Sequence, residues 1–359
     1  IGLGHLGVDP SSSPWTSKEV IEHTSGFDAF IDGHSHTKME CEWVKDLSGK
    51  AVALTQTGSY FANVGEMTIK ADGSIATRLI SSYEGSDSVV EGIQTAWVAS
   101  VDDMLGEKIA ASEINFYVTD PETGNRRIRT AETNLGDFVA DGIYTYFNEV
   151  EQLHCDIAIM NGGGIRADVN AGYWTFKTCK QVSPFGNVAC LMSVTGKQIQ
   201  DALEFGARFV GPEGKENGGF LHVAGATYEI HTDIPNTVLT DDKNVWMGSA
   251  TGTPRVQNVR IYNKKTGAYE PLDLNRTYAL AGMNYTLRNL GDGFAMFDGA
   301  ELIKDYVSED YLVMSTYAMT FGGVDAEGLP HLATANSPLA DYPGYLLNYC
   351  LLYTSDAAD

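Results

Sequence analysis

The chain has 359 residues, 43% hydrophobic and 10% aromatic, enough for two units that each bury a core and too apolar for a disordered polyelectrolyte. Its 24 Lys and Arg face 47 Asp and Glu, a formal charge of −23. Such a surface repels nucleic-acid backbones and anionic membranes, so neither is an expected partner, and an anionic small ligand has to be met by a local cluster of arginines.

The acidity suits an extracellular, cell-surface or periplasmic protein. No apolar run approaches the roughly 20 residues that cross a bilayer. The opening IGLGHLGVDP has neither Met nor a basic leader region, so the chain reads as cut at its front. The five cysteines (Cys41, Cys155, Cys179, Cys190, Cys350) are scattered without a C-x-x-C pair. They read as structural thiols, with Cys179 and Cys190 able to pair in an oxidising compartment.

In chain order, IGLGHLG predicts a buried strand that ends in a loop, and SKEVIEHTSG a helix with a serine N-cap and a glycine stop. FDAFIDG predicts a second strand. KAVALTQTGSY and NVGEMTIKADGSIATRLIS predict further strands, the latter folded about a hairpin turn at Asp72-Gly73. Residues 86–111 carry Val89, Val90, Ile93, Trp97, Val101 and Leu105 at helical spacing, which predicts a long helix suited to link two units.

A second α/β unit is expected from residue 112 to 349. It has helices at NLGDFVADGIYTYFNEV and TGKQIQDALEFGARFV, a buried strand at CDIAIMNGGG, and strands at ATYEIHTDI, VQNVRIYN and RTYALAGMNY. The closing CLLYTSDAAD, residues 350–359, resembles translated sequencing-adapter read-through and is given no function.

Two constellations carry chemistry. In the first, His5 in LGHLG and His34 and His36 in DGHSH follow strands, where a fixed backbone and an open loop can present imidazoles to a metal. Asp9, Asp28 and Asp32 lie near in sequence, but none obviously supplies a bridging carboxylate. GHLGVD followed by FDAFIDGHSHT resembles the last third of the calcineurin-like metallophosphoesterase domain of the 5'-nucleotidase family. That resemblance implies that His5 and His34 ligate one ion and His36 the other, in a site for two divalent ions of the zinc or manganese type. The family's Asp-x-His strand, bridging Asp and Asn-His-Glu segment have no counterpart here, so hydrolysis by this chain alone is not expected.

The second constellation comprises RTAETNLGDFVAD (129–141), NGGGIR (161–166), SPFGN (183–187), GGFLHVAG (218–225) and NYTLRNLGDGFAMF (284–297). A strand running into three glycines and an arginine reads either as close backbone approach to a phosphate or as a tight turn. Phe185 and Tyr285 sit in turn-rich contexts where a core would not usually place an aromatic ring. In this order the segments resemble the C-terminal domain of the 5'-nucleotidase family. The resemblance implies that Arg129, Asn161, Gly163 and Arg166 bind substrate, Asn161 and Gly163 from the strand-end motif. It makes Phe185 one half of a base sandwich, Asn187 a base contact and Asp292 the ribose ligand.

The family's second ring often lies six residues before that aspartate, and Tyr285 lies seven before it, so either Tyr285 or Thr286 fills the place. The fold class implied is α/β, with the end of a metallophosphoesterase sandwich at 1–85, a linker helix at 86–111 and a 5'-nucleotidase C-terminal domain at 112–349. The implied ligand is a nucleotide or nucleoside, and the implied activity of the intact protein is metal-dependent hydrolysis of a nucleotide phosphate. A UDP-sugar hydrolase, a 2',3'-cyclic-nucleotide hydrolase and a non-catalytic nucleoside-binding module are the alternatives.

Overall fold

The structure, a computed structural model, describes residues 1–211 and 214–347, with the backbone alone at Ser11. Cys350 and the 350–359 segment lie outside the described residues. The chain divides into two compact units, Ile1–Thr95 and Ala96–Asp359, and the division falls inside a helix.

In the first unit, strands β1 (Gly2–Leu3), β2 (Ala29–Ile31), β3 (Lys38–Lys45) and β4 (Ala51–Thr57) form a sheet in the order β1-β2-β4-β3. The first three in that order run parallel and β3 is antiparallel to β4. The helix α1 (Ser17–Glu22) begins one residue earlier than expected. Thr16, not a serine, is its N-cap, because the Thr16 hydroxyl accepts from the Glu19 amide while the Glu19 carboxylate reaches back to Thr16. Its C-cap is His23 in place of the expected glycine. Ile21 packs there with Phe30, Val44, Val52 and Leu54. β5 (Val64–Ile69) and β6 (Ile75–Ile80) form the hairpin expected around Asp72-Gly73, with Gly73 at φ 82°.

The helix α2 (Ser88–Leu105) carries the apolar stripe read from the sequence, but none of its residues is buried; Trp97 is 69% exposed. Asp102 near its C-terminal end pairs with Lys177. The next strand begins at Lys108, inside the span expected to be helical.

The second unit contains β7 (Lys108–Ser112), α3 (Asn134–Thr145), β8 (Ile157–Asn161), β9 (Gly172–Thr175), α4 (Phe176–Val182), β10 (Ala189–Thr195) and α5 (Gly196–Gly206). It continues with β11 (Leu221–Ala224), β12 (Ala226–Ile230), β13 (Leu239–Thr240), β14 (Trp246–Gly248), β15 (Val256–Asn263), β16 (Ala268–Pro271) and β17 (Thr277–Met283). The last elements are α6 (Asn284–Leu287), β18 (Glu301–Lys304), α7 (Asp310–Met319) and β19 (His331–Leu332).

Its main sheet has the order β11-β8-β17-β10-β18, and smaller sheets form from β12-β15-β16, β19-β7-β9 and β13-β14. The period-two alternation of a strand sends Ile157 and Ile159 of β8 to one face and Ala158 and Met160 to the other. One face packs against α3 and α7, where Phe138 lies among Phe116, Trp174, Tyr317 and Phe321. The other packs against α5 and β15 through Ile199, Leu203, Phe205, Val256 and Val259.

This layering keeps two thiols apart. Cys179 belongs to the first cluster and Cys190 to the second, so the pairing left open by the sequence does not form. Burial pushes both thiols up to about 12, leaving them inert as nucleophiles.

Candidate functional site

The ends of β8 and β17 converge on one carboxylate. Asn161, the last residue of β8 and 4% exposed, donates from Nδ2 to Asp292 Oδ2 at 3.0 Å and to the Gly218 carbonyl at 3.4 Å. Tyr285, in the short helix after β17, donates its hydroxyl to Asp292 Oδ1 at 3.0 Å. Asp292 sits at φ 55° in the one-turn helix Gly291–Gly293, a left-handed conformation that Asp tolerates better than most residues. Tyr285 lies flat on Gly291, where a Cβ would meet its ring at 2.5 Å. Burial and the Asp292 charge push the Tyr285 hydroxyl well above the ordinary phenol range, so it remains a donor.

The glycine run has a definite structural role. A Cβ on Gly162 would lie 2.2 Å from the Ile128 carbonyl oxygen, and one on Gly163 would lie 3.1 Å from the Gly218 backbone. The first two glycines therefore let three backbones meet at the strand end. Ile128 belongs to the single turn Arg127–Arg129, so this approach places Arg129 beside β8. The Ile128 carbonyl also accepts from His222 Nε2 at 2.9 Å. Burial depresses His222 to about 4, so it supports this turn as a neutral ring. Gly162→Ala forces the turn and the strand end apart and should lower stability by about 1–3 kcal/mol, read as a lower urea midpoint.

Arg166 follows the run. It donates to the Gly163 carbonyl at 3.2 Å, and its guanidinium carbon lies 5.6 Å from the centroid of Phe185. Phe185 is 59% exposed and Tyr285 36%, so neither ring is spent on the core. Thr286, the other reading for the second ring position, is 2% exposed with no hydrogen-bond partner for its hydroxyl among the described residues. Asn187 is held through its backbone: its N–H donates to Asp310 Oδ2 at 3.2 Å and its carbonyl accepts from the Asp310 N–H at 2.8 Å.

Burial and the like charges of Arg126 and Arg166 draw the Arg129 guanidinium down, while Glu216 and Asp292 oppose the shift. Arg126, Glu216 and Arg208 join the site without belonging to any of the sequence motifs. The dense run Arg126-Arg127-Ile128-Arg129 in so acidic a chain was the available signal for the first. Arg208, 7% exposed, lies over the rings of Phe205 and Phe209 at 3.8 and 4.6 Å, and burial brings it down to about 10 against the opposing charge of Asp292.

In the first unit, Asp32 ties the loop after β1 to the end of β2. Its carboxylate accepts from the Leu6 and Gly7 amides at 2.8 and 3.0 Å and from Gln56 Nε2 at 2.9 Å. Burial pushes this carboxyl up, but the hydrogen bonds outweigh it and hold Asp32 below the usual range. The result sets the His5 and His34 rings edge to face at 5.1 Å, while His36 faces Tyr60 at 6.1 Å. His34 and His36 both adopt positive φ, 75° and 54°, a strain that non-glycine residues accept mainly at turns and functional sites. Among the described residues no group of three or more His, Cys, Asp or Glu converges, so this chain's residues do not by themselves fit a two-metal centre.

The model of the family described as "5'-nucleotidase, C-terminal domain" matches residues 109–299, which include every residue of the Asp292 cluster. The chain belongs to this 5'-nucleotidase family. It is 28% identical over 332 residues to the trifunctional nucleotide phosphoesterase protein YfkN of Bacillus subtilis, covering 90% of this chain and 20% of that one. It is 24% identical over 381 residues to the 5'-nucleotidase of Mus musculus, covering 97% and 61%. Among solved structures, the 5'-nucleotidase precursor of Thermus thermophilus is similar at a TM-score of 0.59 and 25% identity, covering 88% of this chain and 61% of that one. The chain thus spans less than two thirds of the length of these 5'-nucleotidase relatives. His5, His34 and His36 lie outside the residues matched by the family model. Among the described residues no helix is long and apolar enough to cross a membrane.

Proposed function

We propose that the second unit is the nucleotide-recognising part of a 5'-nucleotidase-type phosphoric ester hydrolase, with 112–349 as the recognition domain, 86–111 as linker and 1–85 as part of the metallophosphoesterase domain. The observation that carries this reading is the Asp292 carboxylate, held by Tyr285 and Asn161, with Arg129 within range of its charge. A carboxylate suits two ribose hydroxyl donors, and guanidinium groups suit a phosphate. Phe185 and Tyr285 supply faces for a base, and Asn187 offers a donor and an acceptor to its edge. The names of the relatives, 5'-nucleotidase and nucleotide phosphoesterase, support the same reaction class.

His5, His34 and His36 are read as part of a ligand set completed by residues outside this chain. The chain's own contribution is to hold base, ribose and phosphate. The acidic surface accords with a location outside the cytoplasm.

Calorimetric titration with AMP and adenosine tests the reading. Both should bind one to one, AMP more tightly, and Phe185→Ala should weaken both by about tenfold, within the range for losing one stacking face. Absence of binding by the unaltered protein contradicts the proposal.

A further inference from the structure

A carboxylate of the chain itself already lies against the cationic turn. Arg126 pairs through Nη2 with Glu216 Oε2, and Arg129 Nη1 lies 3.9 Å from that same oxygen. The Glu216 side chain is 39% exposed and that of Arg129 only 20%, so the carboxylate approaches Arg129 from the solvent side, beside the more exposed Arg126. Its backbone is fixed by its neighbours. The next residue, Asn217, donates its N–H to the Arg129 carbonyl at 3.1 Å and its side-chain amide to the Gly206 carbonyl at 2.8 Å. Gly218 then accepts from the Gly163 amide at 2.8 Å. A short, anchored backbone thus presents one flexible carboxylate to the cationic turn.

Carboxylate and phosphate satisfy arginine through the same hydrogen-bonding geometry, so they compete for it. Building on the nucleotide-site reading, we propose that Glu216 is a specificity-determining residue that stands in for the ligand's phosphate on Arg129 in the free protein. Arg126 is the second cation of that anion site. Phosphate must displace Glu216 to reach Arg129, whereas a nucleoside does not contest this position. The carboxylate therefore reduces the advantage of a nucleotide over the corresponding nucleoside, and it also discourages stray anions.

The test is calorimetry of the full chain and of Glu216→Gln with inorganic pyrophosphate, AMP and adenosine, alongside Glu301→Gln as a control. Glu301 is an exposed strand residue in the same unit, so the control changes net charge equally without touching the arginines. Loss of an exposed ion pair of this kind should tighten pyrophosphate and AMP by about three- to tenfold in Glu216→Gln. Adenosine should change by less than twofold, and Glu301→Gln should alter none of the three.

Unchanged or weaker pyrophosphate binding in Glu216→Gln overturns the proposal, as does an equal gain in Glu301→Gln. Pyrophosphate needs no base or ribose, so its response decides the role of Glu216 even if AMP and adenosine fail to bind. That failure would count against the nucleotide site alone.

Discussion

Asp292→Asn should weaken adenosine binding by about 10- to 100-fold, the loss expected when one or two hydrogen bonds to a charged acceptor are removed. Asparagine is the informative replacement because it keeps the shape and tolerates the left-handed backbone at φ 55°. It also places an amide N–H₂ among groups that now act as donors, the Tyr285 hydroxyl and the Asn161 amide. A nucleoside lacking both ribose hydroxyls isolates the interaction. Its affinity should start lower and change little on substitution, so the two losses should not add. The substitution also removes a negative charge that offsets the half-buried Arg129 and the buried Arg208, so the variant should unfold at lower urea.

The second large effect concerns pH. Asp141 on α3 is buried, and burial pushes its carboxyl up to about 8 against a hydrogen bond from Tyr345, with the charge of Glu132 adding to the rise. A carboxyl whose folded pKa lies above its unfolded value gives stability that is fully present below the unfolded value near 3.8 and is lost as pH rises through about 8. Asp141→Asn keeps a neutral, hydrogen-bonding side chain and removes this titration. The stability difference, wild type minus variant, should therefore fall between pH 4 and pH 8 with a limiting slope of about 1.4 kcal/mol per pH unit, then flatten. His222, depressed to about 4, and Asp310, raised to about 6, titrate in both proteins and cancel in the difference. Urea unfolding across this range measures it. A difference independent of pH would show that Asp141 is ionised in the folded protein.

Local signals were legible where one physical cause dominated. The apolar run Ile157–Met160 marked β8 because a central strand is covered on both faces. Thr195 with Gln198 closes the capping box that starts α5. The helix α7 escaped notice because it has no clean polar and apolar division: Asp310 and Ser315 are buried along with Val313, Met314 and Tyr317. β10 went unread although it lies between β17 and β18. Its apolar run directly follows the loop SPFGN, so sequence pattern gave no clear start.

The site followed the same division. Phe185 and Tyr285 stood out as rings in turn contexts and are indeed exposed. The bond between Asn161 and Asp292, 131 residues apart, depends on β8 and β17 being neighbours, which no local pattern encodes. Glu216 had no local signal because its importance comes from Arg126 and Arg129, approximately 90 residues earlier. The histidines of the first unit were legible as a group, but His36 packs on Tyr60 while His5 and His34 meet edge to face.

The most direct measurement is the crystal structure of this chain with AMP. The base should lie between Phe185 and Tyr285, the ribose hydroxyls on Asp292, and the phosphate at Arg129 and Arg166 with Glu216 displaced. AMP bound away from Asp292, or its phosphate remote from both arginines, would contradict it.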